Sequence, residues 1–376
     1  MRLTPTVLTP EELALKQEVS DWLDERLPEG SYPLGLGMAG AIDPEFSKDL
    51  GSQGWIGMSL PKEYGGHGRT AVDRLIVVEE LLARGAPVGY HWIADRQFGP
   101  GINANGTEQQ KKELLPGIAA GEFSFSIGMS EPDSGSDLAS VRTRAEQVDG
   151  GWRINGTKIW TTGAYTATHI VALLRTSEDR HHGLTQFIID RHTPGLTVSP
   201  IEFIDGTKDF CELSFVDVVI PDDRRLGAVG AGWSQNTGEL ALERGGVDRW
   251  MTAMPLLERW ARREAQGASA SAATELGTIT AKAWALRGMS LSVARMVDAG
   301  KSPVTEAALI KEMATRFEQQ CVDTMVRYLG RPPRPDSDDP YERLLATAVQ
   351  VNPSWTIRGG TNEILRSVIS KGLRNQ

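Results

Sequence analysis

The sequence is poor in the residues that several large classes of protein require. It contains two cysteines, Cys211 and Cys321, and six histidines among 376 residues. Two cysteines cannot form the disulfide framework of a small secreted protein, and neither a Cys-x-x-Cys pair nor a His-Glu-x-x-His spacing occurs. We therefore expect no protein-bound catalytic metal, and we expect a reducing compartment, the cytoplasm.

Excess positive charge and long apolar runs are also missing. Lys and Arg number 40 against 49 Asp and Glu, which gives a net charge of −9. Nucleic-acid binding relies on cations that neutralise phosphates, and a membrane-spanning helix needs about 20 consecutive apolar residues. The composition thus argues against nucleic acid as a partner and against a membrane span. The first 30 residues are acidic and lack the apolar core of a signal peptide.

Length and hydrophobic periodicity indicate three consecutive domains. The chain exceeds the size at which a single hydrophobic core stops growing, about 250–300 residues. Residues 1–122 have helical periodicity, and residues 123–232 consist of short β-rich runs separated by turn signals. Residues 233–376 are helical again, with a first helix expected near Asn236–Arg263. Because helices flank the strands in blocks, we predict an α+β protein and no doubly wound nucleotide-binding sheet.

Two polar segments of the β-rich region carry groups that suit a flat polar ligand. The first, Ser126 to Asp137, is rich in hydroxyls and small residues, which leaves backbone N–H groups and serine oxygens available as donors. The second, Lys158 to Gly163, places an indole two residues before a hydroxyl. By composition alone, an ordinary polar loop and a core tryptophan explain these segments equally well.

Together with other motifs, these segments resemble the acyl-CoA dehydrogenase family, and the resemblance extends over nearly the whole chain. The further segments that carry it are Leu50–Gly57, Pro61–Gly66, Gly106–Lys111, Leu115–Glu122, Gly227–Trp233 and Gly359–Ile364. The resemblance implies an N-terminal α-helical domain, a middle domain like a β-barrel or sandwich, and a C-terminal four-helix bundle. It also implies FAD as the cofactor.

The same resemblance implies flavin contacts for five residues of the β-rich region. Met129 and Ser130 would offer main-chain and hydroxyl contacts to the isoalloxazine ring. Trp160 would stack on that ring, and Thr162 would bind near its reactive edge. Thr161 would be a further flavin neighbour.

Three other positions match family segments near the substrate and the nucleotide. Ser136 would line the acyl-CoA entrance. Thr361 and Glu363 would approach the ribityl and adenine parts of FAD.

The implied reaction needs a carboxylate that removes an α-proton while a hydride leaves the β-carbon, giving a trans-2-enoyl-CoA. Many members place this base immediately before a C-terminal Gly-Thr, which here is Gly359, and glycine has no side chain. Others place it on the first long helix of the C-terminal domain, where this chain has Glu243. We therefore predict Glu243 as the base and room at Gly359 for a bulky acyl group such as a sterol-derived one. Arg244 matches a frequent family position, and we expect it to orient the base or to help position the substrate.

The diphosphate of FAD needs positive charge, and here the sequence departs from the family pattern. Homomeric members supply an Arg-x-x-Phe-Gly segment to the neighbouring subunit, whereas this chain reads Arg262 to Gly267 in that region. Either Arg262 or Arg263 substitutes, or an unlike subunit provides the charge. A subunit that carries the helix glutamate and pairs with an unlike subunit resembles the actinobacterial dehydrogenases of steroid side-chain degradation. The sequence therefore leaves open both a homo-oligomer and an α2β2 assembly.

The leading hypothesis is an FAD-dependent acyl-CoA dehydrogenase that passes electrons to electron-transferring flavoprotein. The alternatives are a non-catalytic partner subunit of a heteromeric dehydrogenase, and a flavin oxidase or hydroxylase of the same fold. The sequence does not distinguish a CoA thioester from a carrier-protein thioester.

Overall fold

The computed structural model describes residues 3–37, 42–236, 244–267 and 270–374, and the chain divides into two compact units. The first, here called the helical unit, comprises Met1–Ala41, Thr70–Pro87 and Leu240–Gln376. The second, called the β unit, comprises Ile42–Arg69 and Val88–Glu239. The predicted domain limits at residues 122 and 232 stay a prediction, since they follow sequence order whereas the units join segments distant in sequence.

The helical unit contains helices from both ends of the chain. Numbered in chain order, they are α1 Pro10–Arg26, α3 Ala71–Ala83, α7 Met254–Glu264, α8 Ala270–Asp298, α9 Val304–Leu329, α10 Pro340–Val351 and α11 Asn362–Arg374. Helix α9 packs against α8, α10 and α11, which confirms the predicted C-terminal helical bundle.

The first C-terminal helix begins later than expected. Val247–Arg249 is a 3-10 turn, and α7 begins only at Met254. Gly245 and Gly246 disfavour continuous helix at the start of this stretch, and Pro255 lies in the first turn of α7, where its missing N–H costs nothing. The expected helix over Asn236–Arg263 is therefore wrong for its described residues 244–253.

Side-chain caps explain where two of the helices start. At α1, Thr9 accepts the N–H of Glu12 through its hydroxyl, and the Glu12 carboxylate accepts the N–H of Thr9. Thr70 and Asp73 form the same reciprocal pair at α3. Each of these reciprocal pairs provides acceptors for two backbone N–H groups that the start of a helix otherwise leaves unpaired.

The β unit combines short helices with one mixed sheet. Its helices are α2 Pro44–Ser52, α4 Gly99–Asn105, α5 Glu108–Ala119 and the helical residues 232–236, called α6. Its strands are β1 Phe125–Gly128, β2 Arg144–Val148, β3 Gly151–Thr162, β4 His169–Arg175, β5 Leu184–Asp190, β6 Leu196–Ile201, β7 Phe210–Pro221 and β8 Arg225–Leu226.

The sheet is open. Its order is β6-β7-β3-β2-β4-β5-β8, with β1 added in parallel to β4, so β6 and β8 lie at opposite ends of the path. The predicted α+β class with a middle β region is confirmed, and the described strands form an open sheet in place of a closed barrel. One face carries a buried apolar core that includes Trp152, Phe187 and Leu213.

In the described part of the chain, no helix has both the length and the apolar character needed to cross a lipid bilayer. Over the same ranges, no cluster of three or more His, Cys, Asp or Glu side chains is arranged to hold a metal ion.

Candidate functional site

A fully buried lysine organises the polar segment that follows β1. Lys158 of β3 is 0% exposed, and its Nζ donates to the carbonyl of Met129 at 3.0 Å and to Oε1 of Glu131 at 2.8 Å. The Glu131 carboxylate also accepts the backbone N–H groups of Arg142 at 2.6 Å and Thr143 at 2.8 Å. The buried ion pair thus joins the loop after β1, strand β3 and the residues that lead into β2.

Both members of this pair have shifted pKa values. Burial lowers the pKa of Lys158 to about 8, against the opposing effect of Glu131, so the ammonium stays mostly protonated at pH 7. Burial alone would raise the pKa of Glu131. The charge of Lys158 and the hydrogen bonds outweigh it, and the pKa lies below its ordinary 4.5. The pair is therefore charged at neutral pH.

Trp160 has an unusual backbone for a bulky residue. Its φ is 60°, in the left-handed region, and it lies in an irregularity of the β3–β7 ladder, where three steps from Lys158 to Thr161 oppose two from Leu213 to Cys211. Such a bulge redirects a side chain, and a strained non-glycine residue often marks a functional position. The indole is 52% exposed. The interpretation of Trp160 as a core residue is therefore wrong.

Another tryptophan of the same strand shows the contrast. Trp152 is 5% exposed, packs edge-on against Phe187, and donates its Nε1–H to Asp222 at 2.7 Å. Its buried polar atom has a partner, as buried tryptophans usually require.

The residues predicted to surround a flavin edge lie close to this bulge. The N–H of Ile159 donates to the carbonyl of Ser130 at 2.9 Å, which brings the loop after β1 against the end of β3. Ser130 and Thr162 are half-buried. Thr161 is buried, and its Oγ1 has no hydrogen-bond partner among the described residues. A buried hydroxyl without a partner is costly, and it suits a site that a polar ligand completes.

The loop that carries Ser136 borders an arginine-rich depression. Ser136 is exposed, and the carboxylate of Asp137 accepts two hydrogen bonds from Arg180, both at 2.9 Å. Arg180 lines a depression of about 390 Å³. The other lining residues are Ala139, Ser140, Val141, Arg142, Arg144, Arg175 and Glu178. Four arginines outnumber Glu178 and the Asp137 that pairs with Arg180, so this surface is positive although the whole chain is acidic.

In the helical unit, Arg244 joins two segments that the sequence offered as alternatives for the base. Glu243 lies outside the described residues. Arg244 follows it directly, is 7% exposed, and donates from Nε to the carbonyl of Gly359 at 3.2 Å. Gly360 has φ +93°, and a Cβ there would lie 3.1 Å from Nη2 of Arg244. The missing side chain of Gly360 thus leaves the space that the guanidinium occupies.

Helix α9 holds the segment around these glycines through a buried lysine. Lys311 is 0% exposed, and its Nζ donates to the carbonyls of Thr356 at 3.1 Å and Gly360 at 2.8 Å. It also donates to Oδ1 of Asn362 at 3.1 Å. Three acceptors from one short segment therefore converge on a single ammonium.

A second buried side chain of α9 holds the residue before Gly359. Nη2 of Arg358 lies 2.6 Å from Oε2 of Glu318 and donates to the hydroxyl of Thr252 at 3.0 Å. Glu318 is 0% exposed, and burial raises its pKa to about 7 against the opposing effect of Arg358. Helix α9 thus fixes the glycine segment at two points.

Thr361 and Glu363 follow at the start of α11. The hydroxyl of Thr361 accepts the N–H of Ile364 at 3.3 Å, so Thr361 caps the helix, and Glu363 is exposed in the first turn. A cap and an acidic first turn have structural value of their own. The predicted contacts of both residues with FAD stay a prediction.

The two arginines considered for the FAD diphosphate are already paired with acids. Arg262 binds Glu29 at 3.1 Å and Glu258 at 2.6 Å. Arg263 binds Asp339. Either arginine would have to give up an ion pair to bind a diphosphate.

Lys158 and Glu131 had no predicted role of their own. A signal was available, because Lys158 continues the inward-facing positions of β3 occupied by Trp152 and Ile154. A lysine at such a position needs a buried partner. Its partner could not be identified from spacing alone, since it comes from a different segment.

Comparison with known proteins decides the family. Three family profiles match in order: the acyl-CoA dehydrogenase N-terminal domain over residues 9–122, the middle domain over 126–218 and the C-terminal domain over 230–374. Acyl-CoA dehydrogenase FadE26 of Mycobacterium tuberculosis is 30% identical over 96% of each chain. The chain belongs to the acyl-CoA dehydrogenase family. The resemblance found in the sequence is confirmed.

This acyl-CoA dehydrogenase matches two solved structures over its full length. The Tcur3481-Tcur3483 steroid ACAD is 28% identical with a TM-score of 0.87, and the match covers 100% of this chain and 99% of that one. The ChsE4-ChsE5 complex from Mycobacterium tuberculosis is also 28% identical, with a TM-score of 0.82 and the same coverage. The protein is thus an enzyme, an acyl-CoA dehydrogenase, of a family of flavoproteins.

Proposed function

We propose that this acyl-CoA dehydrogenase converts an acyl-CoA thioester to the trans-2-enoyl-CoA with FAD as cofactor and Glu243 as base. The bond from Arg244 to the carbonyl of Gly359 carries the proposal. It brings the residue next to Glu243 to the segment where the rival position for the base lies. Since that rival position is a glycine, Glu243 is the carboxylate left to act there.

The residues of the bulge fit a flavin. Trp160 presents an exposed, flat apolar face, and Thr161 offers a buried hydroxyl that lacks a partner in the described structure. Ser130 and Thr162 are half-buried polar neighbours of the same strand end. When bound, FAD supplies the acceptor for the hydride that leaves the β-carbon. The proposed task of these residues is to hold the ring and orient its edge.

The α-proton of a thioester is weakly acidic, so the base must be held close and aligned. The buried guanidinium of Arg244, fixed by Gly359, sets a positive charge beside Glu243 in the sequence. We infer that this charge orients the Glu243 carboxylate, which accepts the α-proton. Arg244 is therefore proposed as a positioning residue.

The proposed substrate is bulky. Gly359 has no side chain at the position where many members carry the base, so we infer that the segment held by Lys311 and Glu318 has room for a large acyl group. A sterol-derived acyl group agrees with the 28% identity to a steroid ACAD. The positive depression beside the Ser136 loop agrees with an anionic CoA ester at that entrance.

The proposed assembly is an oligomer in which another subunit completes the FAD site. Arg262 and Arg263 are engaged with carboxylates of their own unit, so we infer that the diphosphate takes its charge from a second subunit. An α2β2 complex agrees with the similarity to the ChsE4-ChsE5 complex. Electron-transferring flavoprotein is the proposed acceptor of the electrons.

The test is Glu243→Gln in the protein purified with any subunits that accompany it. The variant should keep its flavin and lose turnover by about 10²- to 10⁴-fold, the usual contribution of a general base. Glu258→Gln is the control, since this exposed carboxylate pairs with Arg262 at the surface. Full turnover in Glu243→Gln would overturn the assignment of the base. If the wild-type protein is colourless, and no acyl-CoA bleaches a flavin absorbance in it, the chain would instead be a non-catalytic partner subunit.

A further inference from the structure

We propose that the buried pair of Lys158 and Glu131 positions the flavin site, because it fixes the loop of Ser130 and the bulge of Trp160 relative to each other. The inference rests on the proposed function, since it takes a flavin as the ligand of this strand end. Neither residue would touch the ring. Both would act through Ser130 and Trp160.

The burial of the pair is the first argument. Lys158 is 0% exposed and Glu131 is 9% exposed. Removing two charges from water costs nearly as much as their attraction returns, so a buried ion pair adds little net stability over a well-packed apolar pair. A contribution to geometry explains its presence better than a contribution to stability.

The connections of the pair are the second argument. Lys158 binds the carbonyl of Met129, and Glu131 binds the N–H groups of Arg142 and Thr143. Ser130 lies between the two residues that Lys158 contacts. Any movement of the lysine would therefore disturb the Met129 carbonyl and the Glu131 side chain, which lie on either side of Ser130.

The strain at Trp160 is the third argument. A left-handed backbone is unfavourable for a residue with a Cβ, so contacts on both sides must hold it. Upstream, Lys158 anchors the strand, and the N–H of Ile159 binds Ser130. Downstream, the hydroxyl of Ser126 donates to the carbonyl of Thr162 at 2.8 Å. The bulge is thus held between the ion pair and Ser126 of strand β1.

The pair is also charged under working conditions. The pKa of Lys158, lowered by burial to about 8, leaves it protonated at pH 7, and Arg175 adds a weak repulsion. Loss of either charge would leave the other without its partner in a buried place, where it would draw water or move outward.

The experiment compares Lys158→Met, Glu131→Gln and the double variant with the wild-type holoenzyme, isolated with any subunits that accompany it. The readouts are the Kd for FAD, the visible circular dichroism of the bound flavin, and the midpoint of urea unfolding. Methionine matches the length of lysine without its charge, and glutamine at position 131 still accepts N–H groups. The matched control is Ile220→Ala, a core truncation in β7 at the other end of β3, opposite Trp152.

Lys158→Met should raise the Kd for FAD about 10- to 100-fold, the equivalent of one hydrogen bond to a charged group. It should also change the dichroism. Glu131→Gln should shift both readouts in the same direction by less, so it serves if Lys158→Met does not fold. The double variant should regain unfolding stability over Lys158→Met, because no unpaired charge is left, but it should not regain FAD affinity.

Wild-type affinity and dichroism in a folded Lys158→Met would overturn the inference alone. So would an equal loss of affinity in Ile220→Ala, or recovery of both stability and affinity in the double variant. A wild-type protein that binds no FAD, with or without its accompanying subunits, would overturn the proposed function and this inference with it.

Discussion

Substitutions at Trp160 test whether its indole is a ligand surface held by a strained backbone. We consider Trp160→Ala and Trp160→Gly, with Trp152→Ala in the same strand as the control. A buried tryptophan removes about 150–250 Å² from solvent. Trp160 is 52% exposed, so it removes roughly 75–125 Å², worth at most about 2–3 kcal/mol at about 25 cal/mol per Å².

Trp152 should cost far more to remove. It is 5% exposed and donates a hydrogen bond to Asp222. Truncation of a core tryptophan costs about 3–5 kcal/mol, and the lost hydrogen bond adds about 1 kcal/mol. Trp152→Ala should therefore lower the free energy of unfolding by about 4–6 kcal/mol, against at most about 2–3 kcal/mol for Trp160→Ala.

Glycine at position 160 separates the strain from the side chain. An L-residue in the left-handed region costs about 1–2 kcal/mol, and glycine avoids this cost. Trp160→Gly should therefore be about 1 kcal/mol more stable than Trp160→Ala, although both lack the indole. Both should bind FAD about 2- to 10-fold more weakly, since aromatic stacking contributes about 0.5–1.5 kcal/mol.

Urea unfolding monitored by far-UV circular dichroism measures the stabilities, and quenching of flavin fluorescence measures the affinities. Equal stability of the glycine and alanine variants would refute the strain argument. A loss in Trp160→Ala as large as that in Trp152→Ala would show that Trp160 is a core residue after all.

Two further predictions concern the glycine segment and the buried pair. Gly360→Ala should lower the free energy of unfolding by about 1–2 kcal/mol and also reduce kcat, because the new Cβ would lie 3.1 Å from Nη2 of Arg244 at a φ of +93°. Gly330→Ala is the control, because Gly330 has φ +73° and open space around the added Cβ. It should lose stability but keep the wild-type kcat. Equal kcat values of the Gly360→Ala and Gly330→Ala variants in steady-state assays would contradict a positioning role for Arg244. Because the pKa of Glu131 in the folded protein lies below its ordinary value of 4.5, the ionised carboxylate stabilises the fold at pH values above 4.5. This stabilisation is lost as the pH falls from 4.5 through the lowered pKa. The difference in unfolding free energy between wild type and Glu131→Gln, measured by urea titration from pH 5 to pH 3.5, should therefore narrow as the pH falls below about 4.5. A difference that widens over this range would contradict the role of the charged pair.

Much of the fold could be predicted from local signals. The change of periodicity near residue 123 and the return to helical periodicity after residue 232 give the order of helices and strands. The expected helix near Asn236–Arg263 did not place the start of α7 at Met254, where Pro255 occupies the first turn. Whether the sheet closes could not be predicted, since closure depends on strand tilt and pairing between distant segments.

The residues of the candidate site could be predicted only in part, because some of its contacts join segments that are distant in the sequence. Ser130, Trp160 and Thr162 were found through their likeness to a family, and the structure places them around one strand end. The bond between Arg244 and Gly359 spans 115 residues, and no spacing rule could indicate it.

By itself, the sequence determined the family, the class of fold and the candidate residues, because caps, turns and short motifs are local. Only the tertiary structure decided which side chains are buried, and it reversed the order expected from hydropathy, since Lys158 is fully buried and Trp160 is half exposed. One extra residue in β3 changes the side to which later side chains point, and the left-handed backbone at Trp160 accommodates it. The buried ammonium is stable there because Met129 and Glu131 supply acceptors from 29 and 27 residues away.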